Sequence, residues 1–433
     1  MNHILRLIRR AFPALLGIVL VLAACARSPD QHPPSATEEL RRDLQALVDE
    51  RVMPGAVLMM AENDRILAEI VVGYRDIAES RPMIDDAIFR LYSMSKPITS
   101  VAIMMLIEEG ELTLDQAVEE LLPEFRNMKV YESGTLENMT TVPAARPITI
   151  HDLLLHEAGI TYHFTGTTPV HQYYRKNGVM RDTPVGRTPE DGEPAQSLNE
   201  LVARLGNAPM LYQPGAEFAY SYSTSVLGAV IERVSSETLD VFLRQRIFEP
   251  LGMTDTGFFV EDDDLDRFVT NYMMTDDGLL EIESPEDSDY RDHGRLLDGG
   301  GAIAGTARDY LRFASMLANG GELDGRRLLS AESVSKMFQP HTLVKGLGPE
   351  VRFGFGVSLG DESTQESGTM PSDAVGWAGS GNTFFWLWPG TGKVVVFMTQ
   401  VITPPQFYNT ARRFRVVVAD DAVELLAQDS PGT

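Results

Sequence analysis

The sequence predicts an α+β fold: an antiparallel sheet built from both ends of the chain, flanked by terminal helices and interrupted by an inserted, mostly helical subdomain. Two observations carry this prediction. Strand-like runs separated by turn residues occur near the N-terminus, at 55–60 and 66–72, and near the C-terminus, at 384–388 and 394–401. Helical patterns broken by long polar stretches occupy residues 111–260 between them. A cleft is therefore expected between the sheet and the inserted helices.

Helices and tight turns frame the predicted sheet. Residues 406–428 have the pattern of a closing helix, and residues 62–65 and 389–392 have the composition of hairpin turns. The opening helix is predicted over residues 37–50, because four apolar side chains share one of its sides: Leu40, Leu44, Leu47 and Val48.

A long apolar helix is predicted over residues 93–109. Its apolar residues recur at helical spacing, and Gly110 ends it. Pro97 is tolerated only near a helix start, so Ser93 is expected at the N-terminal tip.

The remaining segments differ in how clearly they indicate structure. Residues 225–250 predict a single strong helix, and residues 306–318 predict another after a glycine-rich turn. Residues 161–197 are polar and contain prolines, and their secondary structure is hard to assign from the sequence. Residues 261–298 are acidic and are expected to be irregular.

Length and composition narrow the class of protein. With 433 residues, of which 43% are hydrophobic, the chain can hold one large domain or a main domain with an insertion. The net charge of −25 argues against a nucleic acid partner, because the phosphates would be repelled. The chain has only six lysines against 31 arginines, so lysine is an infrequent residue in this sequence.

Residues 1–24 have the pattern of a bacterial export signal. Three arginines precede an apolar run at 11–21 that is too short to be a good membrane span. Residues 22–25, Leu-Ala-Ala-Cys, resemble the lipobox of bacterial lipoproteins, which implies that Cys25 receives a lipid and holds the protein on a bilayer. A plain signal peptide with an incidental cysteine is the alternative.

The lipoprotein interpretation fixes the predicted boundaries. Residues 25–36 are the lipidated cysteine and a proline-containing tether, and residues 37–430 are one folded domain. Ala26 after the cysteine implies, by the same resemblance, the outer membrane, with the domain facing the periplasm. Because Cys25 is the only cysteine, the domain has no internal disulfide.

The strongest chemical signal is Ser93-Met94-Ser95-Lys96, which begins the apolar helix. A serine and a lysine three residues apart lie on one helix face, and a lysine that burial keeps neutral can take the serine proton. A second match, Ser333-Val334-Ser335-Lys336, has no apolar run behind it and is interpreted as a chance occurrence.

Two downstream segments agree with this signal. Tyr220 precedes a helix in Tyr220-Ser221-Tyr222, and a tyrosine near ammonium groups can serve as a general base if they lower its pKa. Trp377-Ala378-Gly379-Ser380 leads into a strand, where small residues let a substrate approach the backbone. The N–H of Ser380 could then stabilise an oxyanion.

Together these segments resemble the class C β-lactamase and penicillin-recognising serine hydrolase superfamily, and specifically its esterase branch (family VIII carboxylesterases). Three further segments also resemble the family's sequences: residues 153–159, 247–253 and 299–309. The resemblance therefore covers about residues 37–425. It implies Ser93 as nucleophile, Lys96 as its partner, Tyr220 as the proton carrier, and the N–H groups of Ser93 and Ser380 as the oxyanion hole.

Two departures from the family pattern favour esters over lactams. Tyr222 stands where lactam-active members carry an asparagine that binds an amide, and Trp377 stands where they carry a lysine that attracts a carboxylate. Tyr222, Trp377, Ala378 and Gly379 are therefore expected to contact substrate, and the substrate is expected to be a neutral small-molecule ester.

The resulting hypothesis is a serine hydrolase that cleaves carboxylic esters through an acyl-enzyme on Ser93. One alternative is a β-lactamase or D-Ala peptidase type of amide hydrolase. Another is a non-catalytic lipoprotein that binds cell-wall peptides. No cofactor and no metal are expected: His156 is interpreted as structural, because it lacks the second histidine of a zinc H-E-x-x-H site.

Overall fold

The computed structural model describes residues 35–428, apart from residues 64, 184 and 345–349. The predicted leader, Cys25 and most of the tether lie outside the described residues. Within the described ranges, no helix has the length and apolar character of a membrane span.

The described strands form one large sheet and several small ones. In chain order they are β1 Gly55–Glu62, β2 Arg65–Asp76, β3 Arg81–Pro82, β4 Ile88–Arg90, β5 Lys129–Ser133, β6 Thr140–Pro143, β7 Asn271–Thr275, β8 Gly278–Glu283, β9 Ala304–Thr306, β10 Glu322–Leu323, β11 Arg326–Arg327, β12 Thr342–Val344, β13 Val351–Phe353, β14 Ser358–Leu359, β15 Val375–Ala378, β16 Phe384–Trp388, β17 Lys393–Met398 and β18 Val401–Ile402.

The described α-helices surround this sheet. They are α1 Ala36–Asp49, α2 Ser95–Glu108, α3 Val118–Leu121, α4 Ile150–Leu154, α5 Pro169–Lys176, α6 Leu198–Asn207, α7 Ser223–Ser235, α8 Leu239–Leu243, α9 Glu249–Leu251, α10 Ala307–Ala318, α11 Ala331–Met337, α12 Glu362–Glu366 and α13 Tyr408–Gln428.

The large sheet joins the two ends of the chain, as predicted. Its order is β12-β13-β14-β15-β16-β17-β1-β2-β3, and each neighbouring pair is antiparallel. The N-terminal hairpin pairs with the C-terminal one where β1 meets β17. The predicted α+β fold is confirmed.

The two faces of the sheet are covered differently. The terminal helices α1 and α13 pack on one face, where Leu40, Leu44 and Leu47 are buried, as their spacing predicted. The other face packs against α10, α2 and the inserted helices in a larger core. The segments around Ser93, Tyr220 and Trp377 belong to this second face, between the sheet and the insertion.

Two segments differ from their predictions. The helix predicted over 225–250 is interrupted: α7 ends at Ser235 because Ser236 takes a left-handed φ of 62°, and the chain resumes as α8 followed by a π-helical turn. The segment at 261–298, expected to be irregular, contains the hairpin of β7 and β8, whose turn closes at Gly278 with φ of 112°.

Candidate active site

The serine at the head of α2 lies on a strained turn. Residues Tyr92–Met94 form one 3-10 turn, and α2 begins at Ser95. Tyr92 has a φ of 47°, a conformation that costs a non-glycine residue about 1–3 kcal/mol. Its hydroxyl accepts a hydrogen bond from Asn271 Nδ2 at 2.8 Å, and the carbonyl of Met94 accepts one from the Tyr310 hydroxyl at 2.9 Å. These contacts from β7 and α10 hold the turn.

The structure brings Ser93, Lys96 and Tyr220 together. The Tyr220 hydroxyl donates to Ser93 Oγ at 2.7 Å, and Lys96 Nζ lies 3.2 Å from the same oxygen. Ser93 and Tyr220 keep partial exposure, whereas Lys96 is only 1% exposed. The serine hydroxyl therefore lies between the two groups that could take or give its proton, and it remains reachable by a substrate.

Burial changes the protonation of Lys96. Removal from water lowers its pKa to about 7, the Asp298 carboxylate raises it, and the Arg181 guanidinium lowers it. Lys96 can therefore be neutral at a pH at which an exposed lysine is an ammonium. Lys96 Nζ also donates to the Gly300 carbonyl at 2.6 Å, which leaves the lone pair of a neutral amine free to accept the Ser93 proton.

Asp298 organises the loop beside Lys96. Its Oδ1 accepts from Ser225 Oγ at 2.6 Å and from the Gly300 N–H at 2.8 Å, and its Oδ2 lies 3.3 Å from Arg181 Nε. Thr99 Oγ1 donates to the Gly299 carbonyl at 2.8 Å, which ties the loop to α2. This arrangement sets both the position and the electrostatic surroundings of the Lys96 amine.

Arg181 and Asp298 are residues that the sequence interpretation missed. Asp298 directly precedes the glycine triplet 299–301, which is a usable signal for a loop that approaches another chain segment closely. Arg181 lies in the polar stretch at 161–197 and carries no recognisable signal.

Tyr220 is a neutral phenol in this environment. Burial raises its pKa well above the ordinary value, and the hydrogen bond to Ser93 offsets only part of that effect. The condition under which Tyr220 could be a general base, a pKa lowered by nearby ammonium groups, is therefore not met, because burial outweighs the effects that lower the pKa. Tyr220 therefore stands as a proton donor toward Ser93, and Lys96 is the group that can be a base at neutral pH.

Tyr222 is not on the exposed surface of the site. Its side chain is 1% exposed, and its hydroxyl is 2.8 Å from His163 Nδ1. Burial lowers the pKa of His163 to about 4, so this contact joins two neutral groups. Its ring packs edge-on against Tyr162 with centroids 4.4 Å apart. Tyr222 thus supports the site wall from behind, in contrast to the expected direct contact with substrate.

His156 has the buried, neutral character expected of a structural histidine. It is 1% exposed, and its Nδ1 is 2.9 Å from Ser221 Oγ. Burial lowers its pKa well below the ordinary value. Among the described residues there is no group of three His, Cys, Asp or Glu side chains placed to hold a metal ion.

The third predicted segment ends β15 beside the serine turn. The Trp377 ring faces Tyr220, with centroids 6.0 Å apart, and it also contacts Phe353. A side chain at Gly379 would place its Cβ 2.4 Å from the Leu91 carbonyl oxygen, so only glycine allows this close approach. Ser380, whose N–H is a predicted oxyanion donor, follows directly and is exposed.

Proteins similar to this chain include esterases. A family model described as Beta-lactamase matches residues 40–420. Esterase EstB of Burkholderia gladioli is 33% identical over 299 residues, which cover 64% of this chain and 69% of that protein. Lovastatin esterase of Penicillium rubens is 30% identical over 315 residues, covering 71% of this chain and 72% of that protein.

A solved structure supports the same relationship. The structure of "EstCE1, a hydrolase with promiscuous acyltransferase activity" superposes with a TM-score of 0.72 at 26% sequence identity. The match covers 88% of this chain and 98% of that one.

Proposed function

The chain belongs to the β-lactamase family and is a serine hydrolase, and we propose that it cleaves carboxylic esters through an acyl-enzyme on Ser93. One observation carries the assignment of the nucleophile: Ser93 Oγ lies 3.2 Å from a buried lysine amine and 2.7 Å from a tyrosine hydroxyl. A serine that only capped a helix would need neither neighbour.

Acylation follows from this geometry. Neutral Lys96 takes the Ser93 proton as Oγ forms a bond to the ester carbonyl carbon. The N–H groups of Ser93 and Ser380 are the proposed donors to the resulting oxyanion. When the carbon–oxygen bond to the alcohol breaks, Tyr220 gives its proton to the leaving oxygen and regains one from the Lys96 ammonium.

Deacylation repeats the same transfers with water in place of the alcohol. Water loses a proton to the Lys96–Tyr220 pair as its oxygen bonds to the acyl carbon. The Ser93 oxygen leaves and is reprotonated, and the acid is released. Because Tyr220 remains a neutral phenol at rest, its role is to carry a proton, while Lys96 supplies the basicity.

Aromatic and neutral groups around the site favour an uncharged ester. Trp377 occupies the position at which lactam-active relatives are expected to have a lysine, and the indole offers no charge to a substrate carboxylate. The Trp377 N–H also lacks a hydrogen-bond acceptor of good geometry among the described residues. Lactam-active relatives are expected to recognise anionic amide substrates through a lysine and an asparagine. This chain has Trp377 and Tyr222 at those positions.

Comparing p-nitrophenyl butyrate with a chromogenic cephalosporin tests the ester proposal. We expect kcat/KM to be at least about 10²-fold higher for the ester, since the lysine and asparagine that bind a lactam substrate are missing. A higher value for the cephalosporin would replace the proposal with the amide hydrolase. Absence of turnover of either substrate would favour the peptide-binding lipoprotein.

Transfer of the acyl group to an alcohol is a second candidate, because EstCE1 is described as having acyltransferase activity. The same acyl-enzyme would serve both reactions. Adding 1-butanol during turnover and measuring butyl ester against free acid by mass spectrometry separates them: a butyl ester fraction above the water-only level supports transfer.

We also propose that the protein is an exported lipoprotein of the outer membrane, anchored through Cys25. The pattern of residues 1–25 supports this. Cys25→Ser should move the protein from the membrane fraction to the soluble fraction, and an unchanged distribution would contradict the anchor.

A further inference from the structure

A second cavity lies on the side of β15 opposite to Tyr220. Its volume is about 210 Å³. Alternate residues of a strand point to opposite faces, so Trp377 faces Tyr220 while Gly376 and Ala378 face the terminal helix α13. Trp377 also borders the cavity, so strand β15 lies between the cavity and Tyr220.

The strand register concentrates the cavity walls on this outer face. Gly376 is paired with Ser358 on β14 and with Trp386 on β16. Paired residues of an antiparallel sheet project to the same side, so all three border the same space. A Cβ at Gly376 would lie 2.1 Å from the Phe385 carbonyl oxygen and 2.9 Å from Trp386 Cδ1, so a larger residue here would displace Trp386 or the neighbouring strand.

An arginine of α13 enters this space without a counter-charge. Among the described residues, Arg415 makes no ion pair and no hydrogen bond; its Cζ lies 5.8 Å from the Phe384 ring centroid. Burial lowers its pKa, since nothing compensates the lost water. Arg413, two residues earlier, shows the usual alternative, with a contact of 2.6 Å to Glu50 and a raised pKa.

Two neutral donors line the same cavity. Within the described ranges, neither the Ser358 hydroxyl nor the Trp386 indole N–H has a hydrogen-bond partner. Arg415 and Ser358 are half-buried, and the Trp386 side chain is buried. Three donors without a protein acceptor among the described residues thus line one mostly apolar space, where together they can bind an acceptor that carries negative charge.

We propose that this cavity binds the carboxylate of a small aliphatic carboxylic acid. The planar Arg415 fork matches a carboxylate, and Ser358 and Trp386 can donate to the same oxygens. Phe384 and Met370 supply an apolar wall for the chain of the acid. A cavity of about 210 Å³ has room for a short-chain acid such as hexanoate.

This site does not depend on the chemistry proposed for Ser93. Its ligand class is that of the acid released by ester cleavage, so the cavity could sense product without contacting the catalytic groups. Failure of the ester proposal would leave the carboxylate site unaffected.

Calorimetric titration of the full chain with hexanoate tests the proposal. Arg415→Met should weaken hexanoate binding by at least about tenfold, as expected for loss of a charged hydrogen-bonding partner, and should leave the weak binding of 1-hexanol unchanged. The matched control is Arg412→Met, an exposed arginine on the same helix, which should bind like the parent. Equal affinities of the parent and Arg415→Met for hexanoate would overturn the proposal.

A second measurement needs no variant. Phenylglyoxal modifies arginine, and peptide mass spectrometry reports the rate at each position. Hexanoate should slow modification of Arg415 severalfold and leave Arg412 unaffected. Equal rates at Arg415 with and without hexanoate would contradict occupation of this cavity.

Discussion

The chain carries the pattern Ser-x-Ser-Lys twice, and the two lysines lie in different surroundings. Ser93 directly precedes the buried helix α2, in whose first turn Lys96 is 1% exposed and contacts Ser93, the Gly300 carbonyl and the Tyr220 ring. Ser333 and Lys336 lie on the seven-residue helix α11, where Ser333 is buried and Lys336 is partly exposed. The Ser333 N–H donates to the hydroxyl of Ser330, the residue that caps this helix.

The difference shows that spacing alone does not bury the lysine or give the serine hydroxyl a second polar neighbour. Both copies put a serine and a lysine on one helix face. Only in the first copy is the lysine buried, with its amine donating to the Gly300 carbonyl. Only there does a tyrosine hydroxyl, that of Tyr220, donate to the serine. The chemistry thus comes from the inserted helices and the glycine loop, which are distant in sequence from α2.

The largest expected effect is loss of the serine. Ser93→Ala should lower kcat/KM for a short-chain ester by at least about 10⁴-fold, because no other group forms the acyl-enzyme. Ser333→Ala, the matched change in the second copy, should keep the parent rate. Comparable losses in both variants would mean that a folding defect, rather than the nucleophile, was measured.

Removing the lysine should have the next largest effect. Lys96→Met keeps the apolar stem and removes the base, so we expect a loss of about 10³-fold in kcat with an unchanged far-ultraviolet circular dichroism spectrum. Lys336→Met provides the control and should be neutral. If Lys96→Met retained a rate within tenfold of the parent, Lys96 would not be the base.

Removing the hydroxyls of Tyr220 and Tyr222 should change kcat by different amounts, and both losses should be smaller than that of Lys96→Met. Tyr220→Phe removes the donor to Ser93 and should lower kcat by about 10²-fold. Tyr222→Phe removes only the contact with His163 and should affect thermal stability more than kcat. A larger kcat loss in Tyr222→Phe would reassign the proton carrier to Tyr222.

The pH profile gives the smallest but most specific effect. Catalysis needs neutral Lys96, whose pKa is about 7, so kcat/KM should rise with pH through that value and level off above it. Arg181→Gln removes a positive charge that lowers this pKa and also leaves Asp298 unpaired. Both changes favour the ammonium, so the rise should move to higher pH, with little loss at pH 9. An unmoved profile would contradict a role of Arg181 in setting the lysine pKa.

Local signals predicted the elements with strong periodicity. Residues 37–50 and 306–318 correspond to α1 and α10, and the terminal hairpins to β1–β2 and β16–β17. The prediction of a single helix over residues 225–250 was wrong. Ser236 adopts a left-handed backbone conformation that ends α7, and no glycine at that position indicates the break in the sequence. The β7–β8 hairpin was not predicted, because the acidic residues around the Asp277-Gly278 turn were interpreted as an irregular loop.

Side chains brought together only by tertiary structure could not be predicted. The motifs placed Ser93, Lys96 and Tyr220 in one hypothesis, and the structure groups them. Asp298 acquires its role from Ser225, which lies 73 residues away, and from Arg181 in a segment without a pattern. The burial that lowers the pKa of Lys96 is likewise a property of packing.

Intact-mass spectrometry of the purified protein after treatment with a fluorophosphonate probe tests the central claim most directly. We expect one covalent adduct on the parent protein and on Ser333→Ala, and none on Ser93→Ala. An unlabelled parent protein, or an adduct that persists in Ser93→Ala, would contradict activation of Ser93 by the buried lysine and the tyrosine.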